Sequence, residues 1–475
     1  MTRTPTRRRV LGAGATIGVG AIAGCADQSN DSTDTDESDE TPTEPDTATE
    51  TTAEEPAVAD GGGVLPARYV VTKADGEIRS YNGDTLAVEF SGTAGEEDWR
   101  VLQETLDAVD GGRIFVRRAE YTPDRRLTVE SSHTTVYSDF ARFTFQDHPT
   151  DDDGGAQVDF LVDGAGSPLQ HVEVNGLVLD ANKANRTTPT RTADIWGESS
   201  HVTYRNCVIF GGKSVDGDGG YGIGEDDDAD YVTIDNCVIR DSDRHAYHPS
   251  AANHRIVNST FIDNAQRTGD VFDLSATNAV VANNHFENNG HGVKIDDSGS
   301  RPNEGHITIT GNVFVDNYLP DIASGQVELV DSTVRSVSIT DNTFVLPEID
   351  AEETSAHLLV DTDGSIGSVH VRNNHFEGGG RNALTSFTET GRHIGTFVVE
   401  HNTFEGIPRE IGLLASAERL LVRDNLFECT GTGDGRLEVK ECSTGVVSGN
   451  VLYDASISVA DGVDAVVDRN HSFSQ

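Results

Sequence analysis

From residue 171 onward the chain is built of short runs in which apolar and polar residues alternate. Val202-Thr-Tyr-Arg, Val232-Thr-Ile-Asp, Ile307-Thr-Ile-Thr, Val337-Ser-Ile-Thr, Val369-His-Val-Arg and Val398-Val-Glu are examples. A period of two with β-branched residues predicts strands with one face buried. Gly, Asn and Asp break the runs, and no stretch between them leaves room for a crossover helix. A recurring phrase follows the runs: Asn, a variable residue, then an apolar one. It stands at Asn206, Asn236, Asn284, Asn312, Asn342, Asn374, Asn402, Asn425 and Asn450, with looser copies at Asn175 and Asn258 and a last one at Asn470, at steps of 20 to 32 residues.

A fixed phrase at that period predicts a solenoid. Units of this size with two or three strands and tight corners fit coils of a parallel β-helix, here about twelve, stacked about 4.8 Å apart. Phe286, Phe314, Phe344, Phe376, Phe404 and Phe427, each two places after the Asn, are expected to point inward and pile up. The Asn residues are expected at the corners, bonded to one another as a ladder, because Asn tolerates left-handed backbone and its amide bonds backbone groups. Asn258-Ser-Thr matches a glycosylation acceptor but as a ladder Asn is expected to be buried; Asn30 and Asn185 are better placed. His285 and His375, directly after ladder Asn residues, read as structural.

Upstream, Asp98-Trp-Arg-Val-Leu-Gln-Glu-Thr-Leu-Asp-Ala-Val has helical spacing, and Gly111-Gly-Arg-Ile-Phe-Val and Tyr121-Thr follow. With these segments the chain resembles the right-handed parallel β-helix superfamily of pectate lyases, polygalacturonases, alginate epimerases and phage tailspikes. The likeness covers about residues 64–475. It implies an all-β, right-handed solenoid whose open end is capped by a short amphipathic helix, with Trp99 in that cap. It speaks weakly on function, since one fold hosts many chemistries. A homotrimer, as in tailspikes, is one assembly the resemblance leaves open.

Residues 1–25 read as an export signal. Thr6-Arg-Arg-Arg-Val-Leu-Gly is a twin-arginine signature, and the apolar stretch Val10 to Gly24 is too short to span a membrane stably. Ile22-Ala-Gly-Cys25 resembles a lipobox, so Cys25 is expected to carry lipid and tether the chain to the outer face of the cell membrane, with cleavage without lipid and secretion as the alternative. Residues 26–63 are almost all Asp, Glu, Ser, Thr, Pro and Ala, which cannot form a core and predict an extended linker. Residues 64–170 are then the cap and first coils, and 171–475 the repeats.

The formal charge is −45 over 475 residues, and the 35 basic residues include only five Lys, at 73, 183, 213, 294 and 440. An acidic, Lys-poor surface resembles proteins of extreme halophiles, where molar salt screens self-repulsion. No basic stripe exists, which argues against nucleic acid as a partner. Cys207 and Cys237 follow Asn residues in consecutive coils, and both a disulfide and stacked free thiols are open readings; Cys429 and Cys442 form a further candidate pair.

Sites on a β-helix sit on outward ladders of consecutive coils. The densest chemistry lies between residues 221 and 296: Tyr221 to Asp228, Arg244-His245-Ala-Tyr247-His248, Asp270 with Asp273, and His291 with Lys294 and Asp296. Proton abstraction beside a uronate needs a base, an acid and positive charge. His245 or His248 is the candidate base, Tyr247 the acid, and Arg244 and Lys294 the neutralising groups. The strand phase is open: Ala246 inward exposes His245 and Tyr247, and the opposite phase exposes His248. The segment resembles alginate epimerase coils, though their Asp-Pro-His is absent. Gly290-His291-Gly292 resembles a polygalacturonase tripeptide, and with Asp270 and Asp273 it supports hydrolysis as an alternative; that family's paired Asp and Arg-Ile-Lys are missing. Asp226, Asp227 and Asp228 are candidate calcium ligands, against a solvated acidic surface. The expectation is an exported, cell-surface protein acting on an acidic polysaccharide as a lyase or epimerase, with a non-catalytic glycan-binding or envelope module as the other class.

Overall fold

The computed structural model describes residues 67–474 except 149–155, 227, 251, 266–269, 275–277, 297–304, 319–324, 331–332, 348–355, 363, 380–381, 389–393, 409, 415–416, 431–434 and 441. The export signal, Cys25, the acidic linker and Asp227 lie outside the described residues.

The chain folds as a solenoid of three parallel sheets, as the alternating runs predict. One coil shows the plan. Val334–Thr340 lies in the first sheet, Thr343–Leu346 in the second and Ala356–Thr362 in the third, and each pairs in parallel with its counterpart one coil on. Among the described residues the second sheet has 14 strands, and two of them, Glu120–Tyr121 and Arg142–Thr144, precede the first Asn phrase. The solenoid therefore begins before the repeat becomes visible.

At the N-terminal end the helix Asp98–Val109 buries Val101, Leu102, Leu106 and Val109. It covers apolar ends that an open coil would expose. Trp99 belongs to this cap, donating from Nε1 to the Arg126 carbonyl at 2.7 Å. Asp98 fixes the helix start by accepting from Lys73 Nζ and from the Thr122 amide, each at 2.7 Å. An antiparallel unit, Tyr69–Ala74, Glu77–Asn82 and Val88–Thr93, precedes the helix and was not expected.

The aromatic pile forms as predicted and is one ring longer. Phe261 joins Phe286, Phe314, Phe344, Phe376, Phe404 and Phe427, with successive centroids 4.5–5.0 Å apart. Earlier coils place Ile209 and Ile239 in the same row.

A buried Asn ladder runs from Asn284 to Asn470, and an outer one links Asn175, Asn206 and Asn236, whose side chains bond at 2.9 and 2.7 Å. In Asn342 the side-chain Nδ2 and the main-chain N–H both donate to Asn374 Oδ1 at 3.0 Å, and Nδ2 also donates to the Ile309 carbonyl at 2.9 Å. The first copies of the phrase are in a different register. Pairing of Val208, Val238, Thr260 and His285 places Cys207, Cys237 and Ser259 in the row of Asn284. Asn206, Asn236 and Asn258 sit one residue earlier, at a left-handed corner with φ of 53°, 55° and 54°. Asn283, Asp341 and Asn373 occupy that corner later. A slip of one residue turns a side chain from the inside to the outside. Asn258 is accordingly exposed rather than buried.

The same slip explains the cysteines. Cys207 and Cys237 are buried thiols outside any disulfide, and so are Cys429 and Cys442. Neither disulfide is present. Cys207 Sγ donates to the Val174 carbonyl and Cys237 Sγ to the Tyr204 carbonyl, each at 3.4 Å, as the ladder amides do in later coils. In-register parallel stacking also holds neighbouring Cβ atoms about 4.8 Å apart, beyond the roughly 3.5–4.5 Å a disulfide needs.

Candidate functional site

The third sheet is interrupted where the candidate chemistry lies. Among the described residues, the ladder between its strand Tyr221–Glu225 and its strand Phe272–Leu274 narrows to isolated bridges at Tyr247, to Ile223 on one side and Phe272 on the other. The coil between them, residues 244–250, has no regular strand. Irregular backbone carried on a rigid ladder can aim side chains that a regular strand would not.

On either side of this break the register separates inside from outside. Phe272, Val293, Val327 and Leu358 form an inward row, and Leu274, Ile295, Leu329 and Val360 another. Between them Asp273, Lys294 and Glu328 form the outward row. Asp270 and His291 come three residues before Asp273 and Lys294 and lie over the same face.

The groups form one connected patch. His291 Nδ1 is 2.7 Å from Asp270 Oδ1 and 3.5 Å from Glu328 Oε1. Facing two carboxyl groups, this nitrogen carries the proton. Lys294 Nζ is 2.5 Å from Asp296 Oδ2 and 3.9 Å from Asp270 Oδ2. His245 Nδ1 lies 2.8 Å from the Asp270 main-chain carbonyl oxygen. A carbonyl only accepts, so His245 carries its proton on Nδ1 and its lone pair on Nε2. The rings of His245, His248 and Tyr221 pack together with centroids 5.1–5.2 Å apart. The guanidinium groups of Arg191 and Arg244 flank the Tyr221 ring at 4.9 and 5.2 Å.

The patch is shielded, and this shifts its protonation. Burial pushes Glu328 up to about 7, with Asp270 adding to the rise and His291 opposing it. Burial and the charge of Asp296 push Asp273 up to about 8. His291 is raised: burial lowers it, but the hydrogen bond to Asp270 and the charge of Glu328 outweigh that. Lys294 is raised against its burial by Asp273, Asp296 and Asp270. Burial and neighbouring His248 lower His245 to about 3. His248 is lowered by burial and then by Arg191 and Arg244.

The nominated residues Arg244, His245, His248, Asp270, Asp273, His291 and Lys294 therefore share one face. Tyr247 does not. It is fully buried in the core, donates its hydroxyl to Glu225, and lies 3.2 Å from His254 Nδ1. The reason is the single bridge: pairing with Ile223 and Phe272 commits position 247 to the inward row. Burial raises the Tyr247 phenol far above its ordinary range, and Glu225 adds to it. Neither phase considered for residues 245–248 is realised whole. Ala246 and Tyr247 are both covered, and His245 and His248 reach the outer face from either side of the irregular turn.

Asp226 and Asp228 are exposed, and among the described residues neither belongs to a set of ligand atoms close enough to share a cation. Two such sets do exist, His245 with His248 and Asp273, and Asp270 with His291 and Glu328, each within 4.8 Å. Glu328 was missed by reasoning from the sequence. Its signal was an acid within the alternating run Gln326-Val-Glu-Leu-Val, one coil beyond the four considered.

Residues 190–344 match the family described as "Right handed beta helix region". The fold is a right-handed parallel β-helix. Solved structures agree over most of the chain. The catalytic unit of a thermostable GH87 alpha-1,3-glucanase from Streptomyces thermodiastaticus strain HF3-3 shares 15% identity, with 78% of this chain and 66% of that chain covered and a TM-score of 0.53. PfbA, a surface adhesin of Streptococcus pneumoniae, shares 14% identity over 80% of this chain and 91% of that chain, with a TM-score of 0.47. The A-module of the Azotobacter vinelandii mannuronan C-5 epimerase AlgE6 shares 13% identity over 80% and 96%, with a TM-score of 0.42. No curated protein matches the sequence significantly. At these identities the β-helix scaffold is what is common, and the chemistry has to be argued from this chain's own side chains.

Proposed function

We propose that this β-helix is a carbohydrate-active enzyme that cleaves glycosidic bonds by hydrolysis, with Glu328 as proton donor and Asp270 as the facing carboxylate. The observation that carries this reading is the pair of carboxyl groups meeting at His291 Nδ1, at 2.7 and 3.5 Å, with Glu328 raised to about 7. A buried carboxyl that keeps its proton near neutral pH can protonate a leaving oxygen. Asp270, bonded to His291 and near Lys294, can meet positive charge developing at the anomeric carbon. Their closest oxygens lie within 4.8 Å, which favours the short spacing of retaining enzymes, about 5–5.5 Å between carboxyl groups, over inverting ones. In such a cycle the Glu328 proton passes to the glycosidic oxygen as its bond to the anomeric carbon breaks and Asp270 bonds that carbon; water then gives its hydroxyl to the carbon, releasing Asp270, and its proton to Glu328.

The electrostatics favour this over elimination at a uronate. Elimination needs positive charge free to meet the uronate, and the ammonium of Lys294 is already held by Asp296. A base lowered to about 3, as His245 is, accepts protons poorly. Arg191 and Arg244 beside Tyr221 favour the second reading, a lyase or epimerase on an acidic glycan, because they could receive a carboxylate there. Glycan as the substrate class is in keeping with the alpha-1,3-glucanase named among the structural neighbours. The twin-arginine signature and Cys25 support a location on the outer face of the cell membrane, with the enzyme tethered there by lipid. Cys25→Ala is expected to release it to the medium.

The test incubates the full chain in molar salt with neutral and acidic polysaccharides. It follows new reducing ends together with the ultraviolet absorbance of unsaturated uronates. Reducing ends without that absorbance, abolished in Glu328→Gln, support hydrolysis. Absorbance rising with the reducing ends would replace it with a lyase. Retention of glycan without either product would make the protein a binding module.

A further inference from the structure

The outer face of the third sheet holds a second constellation that glycan hydrolysis does not use. His245 and His248 come from the irregular coil, and Asp273 from the next. One ligand atom of each lies within 4.8 Å of the other two. Asp273 is 9% exposed, and its Oδ1 is buried with no hydrogen-bond partner. A carboxyl oxygen hidden from water without a partner is costly, and a cation, which displaces the acid proton on binding, is one of the few partners that would satisfy it.

The two imidazoles are prepared in a way that suits ligation. The Asp270 carbonyl holds the His245 Nδ1–H at 2.8 Å, which fixes the ring and leaves the Nε2 lone pair available. Metal-ligating histidines commonly use their other nitrogen in this way. His248 Nδ1 lies 3.2 Å from Ser250 Oγ. Burial also keeps both rings neutral, as ligands must be. Arg191 is paired with Asp194 at 2.7 Å, and Arg244 donates to the Gly217 carbonyl at 2.6 Å; both keep their charge near His248 and help to hold it neutral. Asp296 and Asp270 add negative charge behind Asp273.

We propose that His245, His248 and Asp273 bind one divalent transition-metal cation, of the zinc, manganese or iron(II) class. Two imidazole nitrogens and one carboxylate oxygen suit these borderline metals, whereas calcium and magnesium select all-oxygen sets. Three protein ligands leave at least one position for water, the arrangement of an open rather than a closed site. This assignment stands apart from the hydrolase reading, which uses Glu328, Asp270 and His291.

The test uses the full chain, stripped with chelator and kept in molar sodium chloride to suppress loose binding by its acidic surface. Zinc and cobalt(II) are titrated by calorimetry, and cobalt also by its visible absorption. One equivalent is expected, with cobalt bands of nitrogen–oxygen ligation and no competition from a large excess of calcium. His248→Ala and the near-isosteric Asp273→Asn are each expected to weaken binding beyond the roughly 10–100-fold typical of outer-shell changes. His291→Gln and His171→Ala are expected to keep the full equivalent. His171 belongs to an exposed stack with His133 and His201, at 5.1 and 4.7 Å, and so reports any surface imidazole binding. Unchanged binding in Asp273→Asn and His248→Ala would overturn the assignment, as would calcium competing on equal terms or no binding at all. Because the readout is binding, failure here leaves the hydrolysis test untouched, and failure of hydrolysis leaves this one standing.

Discussion

Asp270 and Glu328, which lie on coils either side of His291, reach the same imidazole nitrogen of that residue, at 2.7 and 3.5 Å. The two acids cannot both be fully charged without cost, since burial and Asp270 hold Glu328 at about 7. Glu328→Gln keeps shape and hydrogen bonding but removes the transferable proton. It is expected to lower the turnover of the susceptible glycan by about 10²–10⁴-fold. In the native enzyme the active form carries the Glu328 proton, so activity should fall as pH rises through about 7. A rate profile flat from pH 6 to 9, or a Glu328→Gln enzyme with native turnover, would remove Glu328 from this role.

The same proton acts on stability, with a sign opposite to the usual carboxylate case. Glu328 titrates at about 7 folded against an ordinary value of 4.5, so between these limits the folded state holds more protons than the unfolded one. Its contribution to stability therefore declines as pH rises across that window, by about 3 kcal/mol in all. Below pH 4.5 the effect is absent. Glu328→Gln should thus be more stable than native at pH 8 by up to about that amount and indistinguishable at pH 4. Denaturant unfolding at the two pH values measures this difference directly, and equal curves at pH 8 would contradict it.

Stability of the solenoid itself rests on satisfied amides as well as on stacked rings. Asn374 Oδ1 receives the main-chain N–H and the side-chain Nδ2 of Asn342, both at 3.0 Å, in a fully enclosed corner. Asn374→Ala leaves two buried donors without an acceptor, at roughly 1–3 kcal/mol each, so a loss of about 2–5 kcal/mol is expected. Asn470 plays the same part for Asn450, at 3.0 and 2.8 Å, but is half-exposed. Water can replace it there, and Asn470→Ala should cost less than about 1 kcal/mol. Equal losses at the two positions would show that the ladder is not what holds the corner.

The contrast between these two kinds of Asn marks where the sequence stops being readable. The strand runs, the Phe pile and the cap helix follow from local patterning, and the structure has them. The ladder register does not follow from the phrase alone, because Asn suits both the left-handed corner and the buried position beside it. In Asn373-Asn374 the two roles stand side by side, whereas Asn206 and Asn236 fill only the corner. The distance to the inward residue does separate them, since Ile209 is three places after Asn206 and Phe286 two after Asn284. The site was legible as a cluster, because parallel stacking brings segments one coil apart together. Its phase was not, because the strand at Tyr247 shrinks to a single residue with a bridge on either side, and its fourth carboxyl was not, because Glu328 stands one coil further on.

Tyr247 shows what that phase decides. As an outward acid it would matter for turnover, but in the core it bonds Glu225 and lies 3.2 Å from His254. Tyr247→Phe removes the hydroxyl from a buried polar group while keeping the ring. It is expected to lower stability by about 1–3 kcal/mol and to leave turnover within a few-fold of native, measured where both enzymes are folded. A loss of turnover above about 100-fold with an unchanged unfolding midpoint would return Tyr247 to the catalytic group.

Cys207 and Cys237 sit where later coils have ladder Asn residues, and this predicts their redox state even in an oxidising setting. Each thiol donates to a carbonyl of the preceding coil, Val174 and Tyr204, at 3.4 Å. Asn284 makes the equivalent bond to Ile256 at 2.9 Å. Joining the sulfurs would forfeit both bonds and draw the strands out of register. Both residues are about 1% exposed, so reagents should not reach them in the folded chain. Alkylation without reductant is therefore expected to spare them under native conditions. After denaturation it should label all four described cysteines, Cys207, Cys237, Cys429 and Cys442. A peptide linking Cys207 to Cys237 in unreduced digests would mean that the first coils close more tightly than parallel stacking allows.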